Sequence, residues 1–80
     1  MRLDKFLKVS RLLKRRTVAA QACEEGKVNV NGRESSKGTK LKLGDEVEIF
    51  FGSSSLKFRV LNLNEKASKA EAGLMYEIIS

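Results

Sequence analysis

Glu25-Gly26-Lys27-Val28-Asn29-Val30-Asn31-Gly32 divides the chain into two kinds of pattern. Upstream, apolar residues recur every three or four positions. Downstream of Gly26, polar and β-branched residues alternate, and Asn31-Gly32 is a strong signal for a two-residue type I′ turn. Helices are therefore expected before Gly26 and strands after it.

Working back from Gly26, a second helix is expected from an N-cap at Thr17 to about Glu25, with Gly26 ending it in the C′ position. Val18, Ala19, Ala22 and Cys23 give it a small-residue face that lets another helix approach closely. A first helix is expected from Asp4, whose carboxylate suits an N-cap, to about Leu13. At about 100° per residue, Phe6, Val9, Leu12 and Leu13 share one arc, while Lys5, Lys8, Arg11 and Arg15 share the next. The link between the helices is Lys14-Arg15-Arg16.

Working forward, Leu41 and Leu43 precede a second turn pair, Gly44-Asp45. Val47, Ile49 and Phe51 then alternate with Glu46, Glu48 and Phe50, and Gly52 to Ser55 is expected to turn the chain. Leu56, Phe58 and Val60 read as the returning strand. Residues 64–73 are polar with room for one helical turn, and Leu74 to Ile79 reads as a last strand, paired either within the domain or with a partner. The expected fold is α+β: one domain over residues 1–80, with two N-terminal helices packed on a small antiparallel sheet.

Charge is distributed as unevenly as pattern. Arg2, Lys5, Lys8, Arg11, Lys14, Arg15 and Arg16 face the single acid Asp4 within the first sixteen residues, which accounts for the whole net charge of +6. The rest of the chain is neutral. Clustered Lys and Arg displace condensed counterions from phosphates, so this end is expected to bind a nucleic acid. The amides of the second helix's first turn, beside the arginines, also suit phosphate.

Several classes of function are disfavoured by composition. There is no histidine and one cysteine, so zinc, haem and Ser-His-Asp chemistry lack their usual groups, and no internal disulfide can form. Cys23 has no partner base and is expected to be a buried helix residue. Apolar runs are far shorter than the roughly 18 residues of a membrane span, and basic residues interrupt any export-type segment. A cytoplasmic, non-enzymatic monomer without a cofactor or metal is expected. A membrane-surface module built on the basic first helix is the competing binding reading.

Taken in order, Arg2-Leu3-Asp4-Lys5, Arg11, Arg15-Arg16-Thr17, Gly26-Lys27-Val28-Asn29-Val30-Asn31-Gly32 and Gly44-Asp45 resemble the S-four RNA-binding domain. The resemblance covers about the first fifty residues. It implies that the helix pair and the turn between them face RNA, while Asn31-Gly32 and Gly44-Asp45 are structural turns. Many members carry Ser where Arg15 stands, which leaves the capping to Thr17. Over its whole length the chain is similar to stand-alone ribosome-associated quality-control factors of the RqcP group. That similarity implies binding to obstructed large ribosomal subunits, with contacts to ribosomal RNA and to the tRNA bearing the stalled chain, in support of the alanine-tailing factor RqcH. A related heat-shock group, which binds dissociated large subunits, is the alternative.

The candidate RNA-binding residues are Arg2, Asp4, Lys5, Lys8, Arg11, Lys14, Arg15, Arg16 and Thr17. Arg16 ranks first for its place at the loop-to-helix junction, then Arg2. Asp4 is either a helix cap, an orienting partner for Arg2 or Arg16, or an RNA contact. Phe6 and Phe58 are expected in the core. Phe50, on the opposite strand face from Ile49 and Phe51, would mark a contact surface if exposed. Lys37, Lys40 and Lys42 are read as solvated loop residues.

Overall fold

The computed structural model describes residues 1–13 and 15–79, together with the backbone but not the side chain of Arg16. The elements run α1 (Leu3–Val9), α2 (Arg16–Glu24), β1 (Val28–Val30), β2 (Arg33–Glu34), β3 (Glu46–Phe51), β4 (Ser54–Val60), α3 (Lys69–Ala72) and β5 (Tyr76–Ile78). All five strands join one sheet in the order β2-β1-β3-β4-β5. Every neighbouring pair is antiparallel, so the last strand pairs within the domain, on β4. Two N-terminal helices on a small antiparallel sheet is the expected architecture, with α3 as a third, single-turn helix closed by a Ser68–Glu71 capping box.

The core explains why the helices lie on one sheet face. Leu3, Phe6 and Leu7 of α1 and Ala19 and Cys23 of α2 are buried against Val28, Val47, Ile49, Phe58 and Val60. Phe6 stacks on Phe58 with ring centroids 5.9 Å apart, and Tyr76 meets Phe58 edge-on at 5.7 Å. This aromatic column ties the first helix to β4 and the closing strand. Both core phenylalanines are where the helix and strand periods place them.

The helix boundaries differ from expectation. α1 stops at Val9 rather than near Leu13, because Ser10 caps it and Arg11 adopts a left-handed backbone, φ 64°. Leu12 and Leu13 still pack on the core, but from the connecting segment. Asp4 is not the N-cap: Arg2 holds that position with no side-chain cap bond, and Asp4 lies within the first turn. There its carboxylate accepts the Lys5 amide at 2.8 Å, satisfying one otherwise orphaned donor. Thr17 is likewise inside α2, behind an Arg15 N-cap that makes no side-chain cap bond. Gly26 does end the helix, with φ 72° and the paired Gly26-to-Cys23 and Lys27-to-Ala22 bonds of a Schellman motif.

In the sheet, Asn31 and Gly32 both have positive φ, as a type I′ turn requires. The hairpin between β3 and β4 is tighter than expected, a two-residue connection at Gly52-Ser53 rather than a turn through Ser55. Phe51 also departs from its expected place beside Val47 and Ile49: it is 47% exposed, because the end of β3 runs past the helical cover.

Candidate nucleic-acid interface

The N-terminus is pinned before the first helix begins. Arg2 bridges Lys40 in an antiparallel pairing, Leu3 donates to the Thr39 carbonyl at 2.7 Å, and Leu41 donates to the Met1 carbonyl at 2.9 Å. This holds Arg2 beside Asp4, with Nε 3.4 Å from Oδ1 and a terminal nitrogen 3.4 Å from Oδ2. Asp4 is 3% exposed, whereas the Arg2 side chain is 47% exposed. The carboxylate thus braces one edge of the guanidinium from below and leaves the rest of that fork open.

From Arg2 the cationic surface runs along α1 into the connection. Lys8, Arg11 and Arg15 are exposed, and among the described residues none of the three makes an ion pair. Lys8 and Arg11 line a polar cavity of about 260 Å³ whose opposite wall carries Glu65. Arg15 opens α2, and Thr17 is exposed in its first turn. α1 and α2 pack on each other, so the segment carrying Arg11 and Arg15 joins two adjacent helices. The expected contacts at Lys14 and the Arg16 side chain lie outside the described residues.

Lys5, like Arg2, is held by an acid. Its Nζ lies 2.8 Å from Glu65 Oε1, and this bond, reinforced by the lysine's charge, holds the Glu65 carboxyl below its ordinary pKa. The N-terminal ammonium and Lys66 act in the same direction. Glu65 is thus an internal counterion set into a cationic surface. No local pattern in the sequence announced it, since the pairing spans sixty residues. Lys40, read as a solvated loop residue, is exposed, and its backbone stands opposite Arg2 in the bridge.

The structural turns of the motif are joined to each other. The Asn31 side chain donates to Asp45 Oδ1 at 3.1 Å and accepts from the Glu46 amide at 3.0 Å, while Asp45 Oδ2 accepts from the Lys42 amide at 2.8 Å. Two distant short motifs are thereby one clamp that fixes the sheet beneath the helices. Cys23 is buried, and burial, with Asp4 and Glu24 adding like-signed charge, raises its thiol pKa to about 11. It is an inert core residue.

The outer sheet face is built differently. Glu46 lies 3.6 Å from both Lys57 and Arg59, Arg59 also reaches Glu77 at 3.3 Å, and Ser55 donates to Glu48 at 3.1 Å. Cations there are neutralised across the strands.

The family model described as the S4 domain matches residues 1–47. The chain is 50% identical over 78 residues to the RQC P-site tRNA stabilizing factor of Halalkalibacterium halodurans, covering 98% of this chain and 89% of that one. The chain belongs to the S4-domain RQC P-site tRNA stabilizing factor family. The family member of Streptococcus pneumoniae is 50% identical over 80 residues, covering all of this chain and 91% of that one. The trimeric structure of Vibrio cholerae Heat Shock Protein 15 superposes with a TM-score of 0.89 at 25% identity, over all of this chain and 82% of that one. The S4 match spans both helices, the Arg2–Lys40 bridge and the Asn31–Asp45 clamp, so the elements that position the cationic surface lie inside the family's own segment.

Proposed function

We propose that the protein is an RNA-binding factor of ribosome-associated quality control, which binds large-subunit ribosomal RNA and the tRNA held there through its helix pair. The observation that carries this reading is the set of cations Lys8, Arg11 and Arg15, exposed and without ion-pair partners among the described residues, next to a braced Arg2. The names carried by relatives matching nearly the whole chain support the tRNA as partner. Arg2 and Arg16 are assigned to phosphate or base contacts, and Lys5, Lys8, Arg11, Lys14 and Arg15 to backbone contacts. Asp4 acts through Arg2 rather than on the RNA itself.

No bond is made or broken in this role. By bridging two phosphate backbones the domain lowers the free energy of one tRNA position. That would hold the tRNA in the P site while RqcH extends the stalled chain with alanine. The protein would act as a monomer in the cytoplasm; among the described residues, no helix is long and apolar enough to cross a membrane. The structural likeness to Heat Shock Protein 15 supports a second reading, binding to dissociated large subunits without RqcH.

Ultraviolet crosslinking in cells tests both. The tagged protein should crosslink to large-subunit ribosomal RNA and tRNA and copurify with RqcH, and an Arg2→Glu/Arg16→Glu variant should lose these. Crosslinks without RqcH would favour the heat-shock reading, and crosslinks indifferent to both arginines would overturn the assigned surface.

A further inference from the structure

A second depression adjoins the cationic surface and has the opposite character. It is an apolar cleft of about 250 Å³ between α2 and the far end of β3, with Leu13, Val18, Ala22, Phe50 and Phe51 in its walls and Gln21 at its side. Leu13 also lines the polar cavity of Lys8 and Arg11, so one side chain forms the ridge between the two depressions. Val18 and Phe51 are each 47% exposed, apolar surface at the cleft that the core does not use.

We propose that this cleft holds an unpaired nucleobase of the RNA whose backbone lies on the helix pair. The inference rests on the RNA-binding reading above and adds a base site to it. Four observations select this occupant. The cleft is continuous with the cationic surface through Leu13, which places a base site within a nucleotide's reach of phosphate sites. Its volume of about 250 Å³ suits one or two flat rings. Phe51, on the strand face of Val47 and Ile49 that the helices cover, provides aromatic surface on which any base can stack. The Gln21 carboxamide, which makes no hydrogen bond among the described residues, supplies one acceptor and two donors at the side where a base edge would lie. Glu25 and Lys27, the charged residues in the lining, neutralise each other at 3.2 Å and leave the cleft without net charge. Phosphate outside and base inside is the usual division of labour in single-stranded RNA recognition.

The test uses the full chain and two fluorescein-labelled RNA hairpins of equal length and charge, one with a loop of unpaired adenines and one closed by a minimal stable loop. A third RNA carries 2-aminopurine in the adenine loop. The wild type should prefer the adenine-loop hairpin and change the 2-aminopurine emission on binding. Phe51→Ala, with circular dichroism to show that it folds, should weaken binding to the adenine loop by about 5- to 150-fold, the worth of one base–aromatic stack. Its binding to the minimal-loop hairpin should stay within about twofold. Gln21→Ala should narrow the difference between adenine and uracil loops. Equal affinity of the wild type for both hairpins, or equal loss on both in the variants, would overturn the base site while leaving the helix-pair reading intact. Failure of the wild type to bind either RNA would instead count against that underlying reading. Unchanged binding to both hairpins with lost binding to isolated large subunits would assign the cleft to a protein side chain and also overturn the proposal.

Discussion

On the outer sheet face each described strand cation, Lys57 and Arg59, sits against a carboxylate on a neighbouring strand; on the helix pair Lys8, Arg11 and Arg15 make no ion pair among the described residues. Both regions are rich in charge, yet only one projects a field. Cross-strand pairs of this kind contribute little stability individually, but they cancel the potential that would attract a polyanion. The helix pair leaves Lys8, Arg11 and Arg15 without carboxylate partners among the described residues, at some cost from mutual repulsion, and the neutral remainder of the chain localises the net +6 to the first sixteen residues. Net charge alone therefore says less about binding than which cations have partners inside the fold.

The largest expected effect breaks both regions at once. Phe58 joins α1 to the sheet through Phe6, so Phe58→Ala should destabilise the domain by about 3–5 kcal/mol. A core of this size supplies about that much in total. Urea unfolding should find the variant largely unfolded, with RNA binding lost as a consequence.

Arg11 separates stability from binding. Its left-handed backbone is strained for any residue with a Cβ, and its side chain has no partner among the described residues. Arg11→Gly should therefore raise stability by about 0.5–1 kcal/mol in urea titration and weaken RNA binding about tenfold. An arginine held where glycine would fit better is the cost of keeping a cation at the bend.

Glu65 makes the helix pair locally resemble the sheet face. Glu65→Gln should release Lys5 and tighten RNA binding about two- to fivefold at low salt, with the gain shrinking as salt rises. Because the folded-state pKa of Glu65 is lowered, its small stabilising effect is present above about pH 4.5 and fades as pH falls below it. The variant should lose that part of the acid dependence.

Cys23 sets the floor, since it belongs to neither surface. Its thiol, raised to about 11, should resist iodoacetamide at pH 8 in the folded protein and react in urea. Stability should decline slightly above about pH 9, where the unfolded thiol ionises and the folded one does not.

The local signals in the sequence were sufficient for much of this. Period three-to-four against period two separated helices from strands, Gly26 ended α2, Asn31-Gly32 turned the first hairpin, and Phe6 and Phe58 met in the core. The caps were misplaced because Asp4 and Thr17 are good capping residues by type, whereas the two helices begin one or two residues earlier, behind Arg2 and Arg15. What fixes Arg2 is the remote strand segment around Lys40, and such pairings leave no local trace. The Lys5–Glu65 bond and the clamp between Asn31 and Asp45 were hidden for the same reason. The cationic surface was legible as composition; which of its members are held by acids was not. Phe50 is partly exposed on the outer face, and the exposure of Phe51 on the helix-facing side, which the strand period alone would bury, follows from where the helical cover ends.

The central claim is tested most directly by removing two cations from each region and comparing salt dependence. Lys8→Ala/Arg11→Ala and Lys57→Ala/Arg59→Ala leave the same net charge, and circular dichroism can confirm that both fold. Affinity for isolated large ribosomal subunits would be measured from low to high salt. The first variant should bind at least about thirtyfold more weakly at low salt, with a log–log slope shallower by roughly 1.5 as two phosphate contacts are lost. The second should match the wild type in slope and stay within about twofold in affinity. Equal losses in both variants would contradict the account, since binding would then follow total charge and not the unpaired cations of the helix pair.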